Sequence, residues 1–219
     1  VEPVETGEVL ATADTLFVAS ETEGLEAFER STFSRKWRFP VKNGVGSQVL
    51  LDSGVIYFGA DDGNFYAVDA EFGRMLWKYE TKSPVYARAS IAGSKIFVSA
   101  SDDILYCLEK ATGKWIWHYK RSGNYITTVR GNATAVASDN TVYTGFSDGY
   151  LVALNLADGN IQWEVKVHSG SKFTDVDAMP LIEDGKIYIP SYDGSLYVLE
   201  KSKGKVIWRV DVGGTRKVI

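Results

Sequence analysis

Cysteine is almost absent from this chain: 219 residues contain one, Cys107. A lone cysteine excludes an internal disulfide framework and a four-thiolate metal centre. Histidine is nearly as scarce. His118 and His168 are far apart in sequence and do not form a metal-ligand spacing. Proline occurs only five times. No apolar run approaches the ~18 residues that a membrane-spanning helix needs. There is no Lys/Arg block, and 24 basic against 28 acidic residues leave a net charge of -4. That balance argues against an electrostatic nucleic-acid binder. The glycines are not clustered before a helix, so no phosphate-cradling loop is present. Ser191 and Ser195 flank a turn without the G-x-S-x-G elbow of a serine nucleophile. The opening VEPVETGEVL lacks a basic region, an apolar region and a cleavage site. It fits a cytoplasmic protein or a chain already processed or trimmed.

What the chain does have is rings and turns: 6 Trp, 12 Tyr, 10 Phe and 21 Gly, with 45% apolar and 24% charged residues overall. That is a globular balance, and it suggests short strands joined by tight turns. Five tryptophans recur almost evenly, Trp37, Trp77, Trp117, Trp163 and Trp208, at intervals of 40, 40, 46 and 45 residues. Gly73, Gly113, Gly159 and Gly204 each precede one of them by four positions, and Gly63, Gly149 and Gly194 lie ten residues earlier in Asp-Gly turns. The first copy is weaker, with Phe33-Ser34 in place of its second glycine. Each unit reads as β: Phe65, Ala67 and Asp69 alternate with Tyr66, Val68 and Ala70, a period of two. A turn follows, then Met75 to Tyr79, and a short apolar segment precedes each hairpin. There is no convincing helix. Units of this length with about four strands match the blades of a β-propeller.

One blade cannot bury both of its faces alone, but blades stacked around an axis can. The recurring indole is too large for one thin sheet and is expected to wedge between neighbours. Burying such a ring is worth roughly 2–3 kcal/mol. A structural role is therefore the favoured reading of the tryptophans, with ligand stacking as the rival. The expectation is one all-β propeller domain over 1–219. Its repeats run at about 8–41, 46–81, 85–121, 133–167 and 177–212, and 213–219 opens a further blade or serves as a closing strand.

The frame Ala67, Asp69, Gly73, Trp77 resembles the PQQ-like repeat signature A-x-D-x-x-x-G-x-x-x-W. Ala153 to Trp163 carries it with Asn155 in place of Asp. Two segments between repeats are sharper. TTVRGNATAVAS holds Arg130-Gly131 before one blade, and FTDVDAMPLI holds Asp175-Val176-Asp177 before the next. Together they resemble the BamB family, periplasmic lipoproteins of the outer-membrane β-barrel assembly machinery, whose L-x-L-R-G and D-V-D loops occur in this order. The resemblance implies a non-enzymatic scaffold without a cofactor. Its loops would meet the periplasmic domains of BamA and other assembly subunits, and it would assist insertion of outer-membrane protein clients. Carried over by position, the partner-binding residues are Arg130, Asp175 and Asp177, with Val129 at one family leucine and Thr127 at the other. The resemblance also implies a lipid-anchored place on the inner face of the outer membrane and a seven- or eight-bladed ring. Five units are visible here.

Two rivals stand beside this reading. A PQQ-dependent dehydrogenase fragment would need a Ca²⁺ site of carboxylate and amide oxygens. Asp61-Asp62 and Asp102-Asp103 are the clustered candidates, but both fall at hairpin turns, where aspartate is common for turn reasons. A generic binding or sensor propeller has no need of both the Arg-Gly and the Asp-Val-Asp loop. Arg130 bridging Asp175 or Asp177, as a brace between blades, is the structural alternative for those loops.

Overall fold

The computed structural model describes residues 9–121, 133–168 and 175–211. They form five four-stranded antiparallel sheets, each a meander of consecutive strands. Blade 1 holds β1 (Val9–Ala11), β2 (Thr15–Ser20), β3 (Gly24–Glu29) and β4 (Arg35–Phe39). Blade 2 holds β5 (Leu50–Asp52), β6 (Val55–Gly59), β7 (Asn64–Asp69) and β8 (Met75–Glu80). Blade 3 holds β9 (Ser90–Ala92), β10 (Lys95–Ala100), β11 (Ile104–Glu109) and β12 (Trp115–Lys120). Blade 4 holds β13 (Val136–Ser138), β14 (Thr141–Gly145), β15 (Tyr150–Asn155) and β16 (Ile161–Lys166). Blade 5 holds β17 (Leu181–Glu183), β18 (Lys186–Pro190), β19 (Ser195–Glu200) and β20 (Val206–Asp211). The architecture is an all-β, multi-bladed propeller.

Burial follows the stacking. The two middle strands of a blade are buried on both faces, as in β7, where Phe65 to Val68 are all enclosed. The fourth strands of blades 1 to 4 alternate instead: in β8, Trp77 and Tyr79 turn inward while Lys78 and Glu80 face solvent. The cores lie between sheets. Phe17, Leu25, Ile56 and Phe58 join blades 1 and 2. Phe65, Val85, Ile96 and Leu108 join blades 2 and 3. Leu105, Trp117, Val142 and Val152 join blades 3 and 4. Leu151, Val176, Ile187 and Leu199 join blades 4 and 5. A sheet buried on both sides by its neighbours reads as a continuous apolar run, which is why IYFGA, IFVSA and IYIPS recur.

The repeat signature has a physical part for each letter. The alanine stands directly opposite the tryptophan, Ala67 across from Trp77 and Ala153 across from Trp163, and a β-bulge follows at once in the pairing. A small side chain there leaves room for the ring. The acidic or amide residue caps the turn: Asp69 Oδ1 accepts from the N–H groups of Glu71 (3.0 Å) and Phe72 (2.7 Å). Asn155 Oδ1 accepts from Ala157 N–H at 2.8 Å, so an amide serves equally well. The glycine takes a positive φ, 68° at Gly73 and 76° at Gly159. It is also where the previous blade presses. A Cβ on Gly73 would stand 2.6 Å from Trp37, and one on Gly159 2.6 Å from Trp117. Glycine is required there twice over, for conformation and for space.

Candidate partner-binding loops

The structure seats four of the five recurring tryptophans across blade seams. Each indole lies on the glycine of the following blade and donates its Nε1–H to a backbone carbonyl there. Trp37 donates to Ala70 O (3.1 Å), Trp77 to Lys110 O (3.1 Å), Trp117 to Leu156 O (3.2 Å) and Trp163 to Lys201 O (3.2 Å). A buried indole needs such a partner for its one donor. Trp208 differs, with 46% of its surface exposed on the fourth strand of blade 5.

The sequence also singles out two loops that precede blades. Thr127, Val129 and Arg130 lie outside the described residues. Asp175 and Asp177 are described, and they are not equivalent. Val176 between them is the anchor. Its N–H donates to Phe146 O at 3.1 Å, and its side chain is 1% exposed. It fills the space above Gly145, where an added Cβ would meet Val176 O at 2.2 Å. The same pairing holds at the seam of blades 2 and 3, where Val85 N–H donates to Ala60 O (3.3 Å) and Val85 occupies the space above Gly59. With Val176 pinned, Asp175 is turned inward and is 1% exposed, while Asp177 is half-buried. Desolvation pushes the Asp177 carboxyl above its ordinary range. A hydrogen bond from its own backbone works against that rise, and the Asp175 charge adds to it. Of the two carboxylates, Asp177 is the one that offers surface to a partner.

Two polar latches at the neighbouring seam escape a reading of the sequence. Arg121 follows blade 3 and reaches blade 4. Its guanidinium binds the Asp148 carboxylate, donates to Glu164 Oε2 at 2.6 Å and to the Tyr119 hydroxyl at 3.2 Å, and lies 4.2 Å above the Tyr150 ring. The equivalent positions hold Thr81 and Val167, as the bonds Arg121 N to Asp103 O, Thr81 N to Gly63 O and Val167 N to Gly149 O show. A lone arginine at that point in the repeat is the signal that could have revealed it. Asp103 is the second latch. It stands where the other hairpins place Gly63, Gly149 and Gly194, and it adopts φ 59° despite its side chain. The carboxylate is 5% exposed and accepts from the N–H (3.2 Å) and the hydroxyl of Ser147 in blade 4. Desolvation raises its pKa, although the Ser147 bonds pull it down.

The remaining candidates are structural in placement. Asp62 Oδ1 accepts from Asn64 N–H at 3.0 Å and its Oδ2 from the Tyr66 hydroxyl at 2.6 Å, which is turn chemistry. Among the described residues no group of three His, Cys, Asp or Glu side chains is gathered to hold a metal ion. Cys107 is fully buried, and burial pushes its thiol up to about 12, far from a reactive thiolate. His168 is buried, and His118 lies beside Trp115.

Meander blades stapled by a Trp–Gly contact define a PQQ-like β-propeller. The chain matches the family described as outer membrane protein assembly factor BamB over residues 2–91 and 21–219, and it belongs to that family. A solved structure of BamB from Moraxella catarrhalis superposes with a TM-score of 0.82 at 26% identity, over 96% of this chain and 65% of that one. A curated relative from Kangiella koreensis, named outer membrane protein assembly factor BamB, is 36% identical over 61 residues, 25% of this chain and 16% of its own length. The chain therefore spans less than two thirds of the length of these relatives. A quinohemoprotein alcohol dehydrogenase from Comamonas testosteroni shares the fold alone, with a TM-score of 0.72 at 17% identity over 93% of this chain and 42% of that one. Among the described residues no helix is long and apolar enough to cross a membrane.

Proposed function

We propose that this chain is a non-enzymatic scaffold of outer-membrane β-barrel protein assembly. It works in the periplasm, at the inner face of the outer membrane, to which an N-terminal lipid would tether the whole protein. Its inter-blade loops bind the periplasmic domains of BamA, with Arg130, Asp175 and Asp177 as the charged contacts and Thr127 and Val129 beside them. The observation that carries the reading is the loop entering blade 5. Val176 is locked into the seam, so the half-buried Asp177 is held on a rigid support rather than on a free loop. A carboxylate already partly desolvated loses less hydration when a cationic partner group covers it. Asp175, enclosed beside it, supports the loop from within.

The test is a titration of the chain with the periplasmic domains of BamA. Asp177→Lys is expected to weaken binding by roughly tenfold or more, about 1.4 kcal/mol or above, with the fold intact. Asp175→Asn is expected to lower stability more than affinity. Unchanged affinity in both Asp177→Lys and Arg130→Glu would remove the interface from these loops. The quinoprotein alternative predicts an absorbance change on adding PQQ with Ca²⁺, and the scaffold reading predicts none.

A further inference from the structure

The sixth tryptophan has no part in the docking frame. Trp115 opens β12 and is 54% exposed. Its place in the other blades is held by Arg35, Met75, Ile161 and Val206, each pairing at the same bulge. His118 stands where those blades carry Arg38, Lys78, Glu164 and Arg209. Blade 3 alone therefore sets an indole and an imidazole side by side on this strand. The two rings are 6.0 Å apart, and Trp115 Nε1–H donates to His118 Nδ1 at 3.3 Å. The bond orients the indole and leaves Nε2 as the protonated nitrogen of the neutral imidazole. His118 in turn packs on Tyr106, and Tyr106 on Tyr79 of blade 2. These rings line a cleft of about 500 Å³ at the seam of blades 2 and 3.

Four charged side chains also line this cleft: Glu80, Lys82, Asp102 and Lys120. Two are acidic and two basic, so the cleft is neutral as a whole. The geometry points to a saccharide site, in which Trp115 is the platform for one face of a neutral pyranose ring. The charge balance selects this ligand class. A quaternary ammonium cage needs a negative surplus, which the two ammonium groups cancel. An anion is opposed by the two carboxylates. A purely apolar ligand would cover charged heads without supplying hydrogen bonds, which is costly. A pyranose with equatorial hydroxyls meets every part. Its C–H face lies on the indole, and its rim hydroxyls donate to the carboxylates and accept from the ammonium groups and His118 Nε2–H.

The test is a titration of the full chain with cellobiose and with N,N′-diacetylchitobiose, read in a ¹⁵N spectrum at the backbone amide signals of Ile104 and Tyr106, which line the cleft and are present in every variant. A saturable shift with either sugar is expected. Trp115→Ala should weaken binding by about tenfold or more, and Lys120→Ala by roughly threefold, as expected for loss of a stacking platform and of one charged hydrogen bond. Because Trp115 is 54% exposed and belongs to neither of the inter-blade cores that flank blade 3, the thermal midpoint of Trp115→Ala should stay close to that of the parent. The proposal is overturned by the absence of a saturable shift with both sugars. It is equally overturned by a shift with tetramethylammonium alone, or by sugar affinity that survives both substitutions.

Discussion

Trp117 and Trp208 occupy the same place in the repeat, and their surroundings are opposite. Each pairs across its sheet with a residue just ahead of a β-bulge, Cys107 for Trp117 and Val198 for Trp208. Trp117 is 5% exposed, lies on Gly159 and donates to Leu156 O. Trp208 is 46% exposed, and the whole of β20 is exposed with it. The local sequence builds the blade and aims the ring. Only an adjacent blade, with its glycine and its carbonyl, turns that ring into core.

The sharpest way to break the comparison is to delete each ring. Trp117→Ala is expected to cost about 3–5 kcal/mol, since it empties a closed seam and removes one of the two donors to Leu156 O, the other being Lys95 Nζ. Trp208→Ala should cost well under half of that, because an exposed ring has less apolar surface to lose. Urea unfolding of both variants measures the difference. Equal losses would mean that the indole acts within its own sheet rather than across the seam.

The glycine side of the contact gives a smaller effect. Gly113→Ala must place a Cβ 2.4 Å from Trp77 at φ 71°, and a loss of about 2 kcal/mol is expected from strain and displaced packing together. Phe33 holds the corresponding turn of blade 1 at φ 55° and is 70% exposed. Phe33→Gly should be neutral or stabilising there, because it relieves the left-handed strain and takes little from the core. Thermal midpoints of the two variants moving in the same direction by similar amounts would refute the assignment of the glycine to inter-blade space.

The smallest effect is one of pH. The folded pKa of Asp103 is raised above its ordinary 3.8 by burial. The folded state therefore holds that proton more tightly than the unfolded chain. The resulting stability is fully present below 3.8 and is lost as pH rises through the folded value. Asp103→Asn keeps an acceptor for Ser147 N–H and tolerates the positive φ, but it carries no charge. Its stability relative to the parent should rise with pH across that window and then level off. Parallel urea midpoints for the two proteins at every pH would show that Asp103 does not titrate in its buried place.

Much of the architecture was legible because its causes are local. Period-two alternation, Asp-Gly turns and the even return of tryptophan announce strands, hairpins and blades from short stretches of chain. The candidate loops were visible as segments between repeats, yet the sequence treated Asp175 and Asp177 alike. Their separation into an enclosed and a half-buried carboxylate follows from Val176 entering the seam above Gly145. Asp103 read as turn chemistry, and Arg121 did not stand out at all. Both act on blade 4, through partners 27 to 44 residues away.

The amino-acid sequence by itself determined the blades, because strand period, bulge and turn depend on neighbours within a few positions or across one hairpin. It also determined which side chains could staple blades together. Tertiary structure alone decided which staples closed: the indoles that found a glycine and a carbonyl, the aspartate that faced inward, and the aromatic cleft around Trp115. Those outcomes depend on how two sheets meet, and no spacing within a single repeat encodes the face that the next sheet presents.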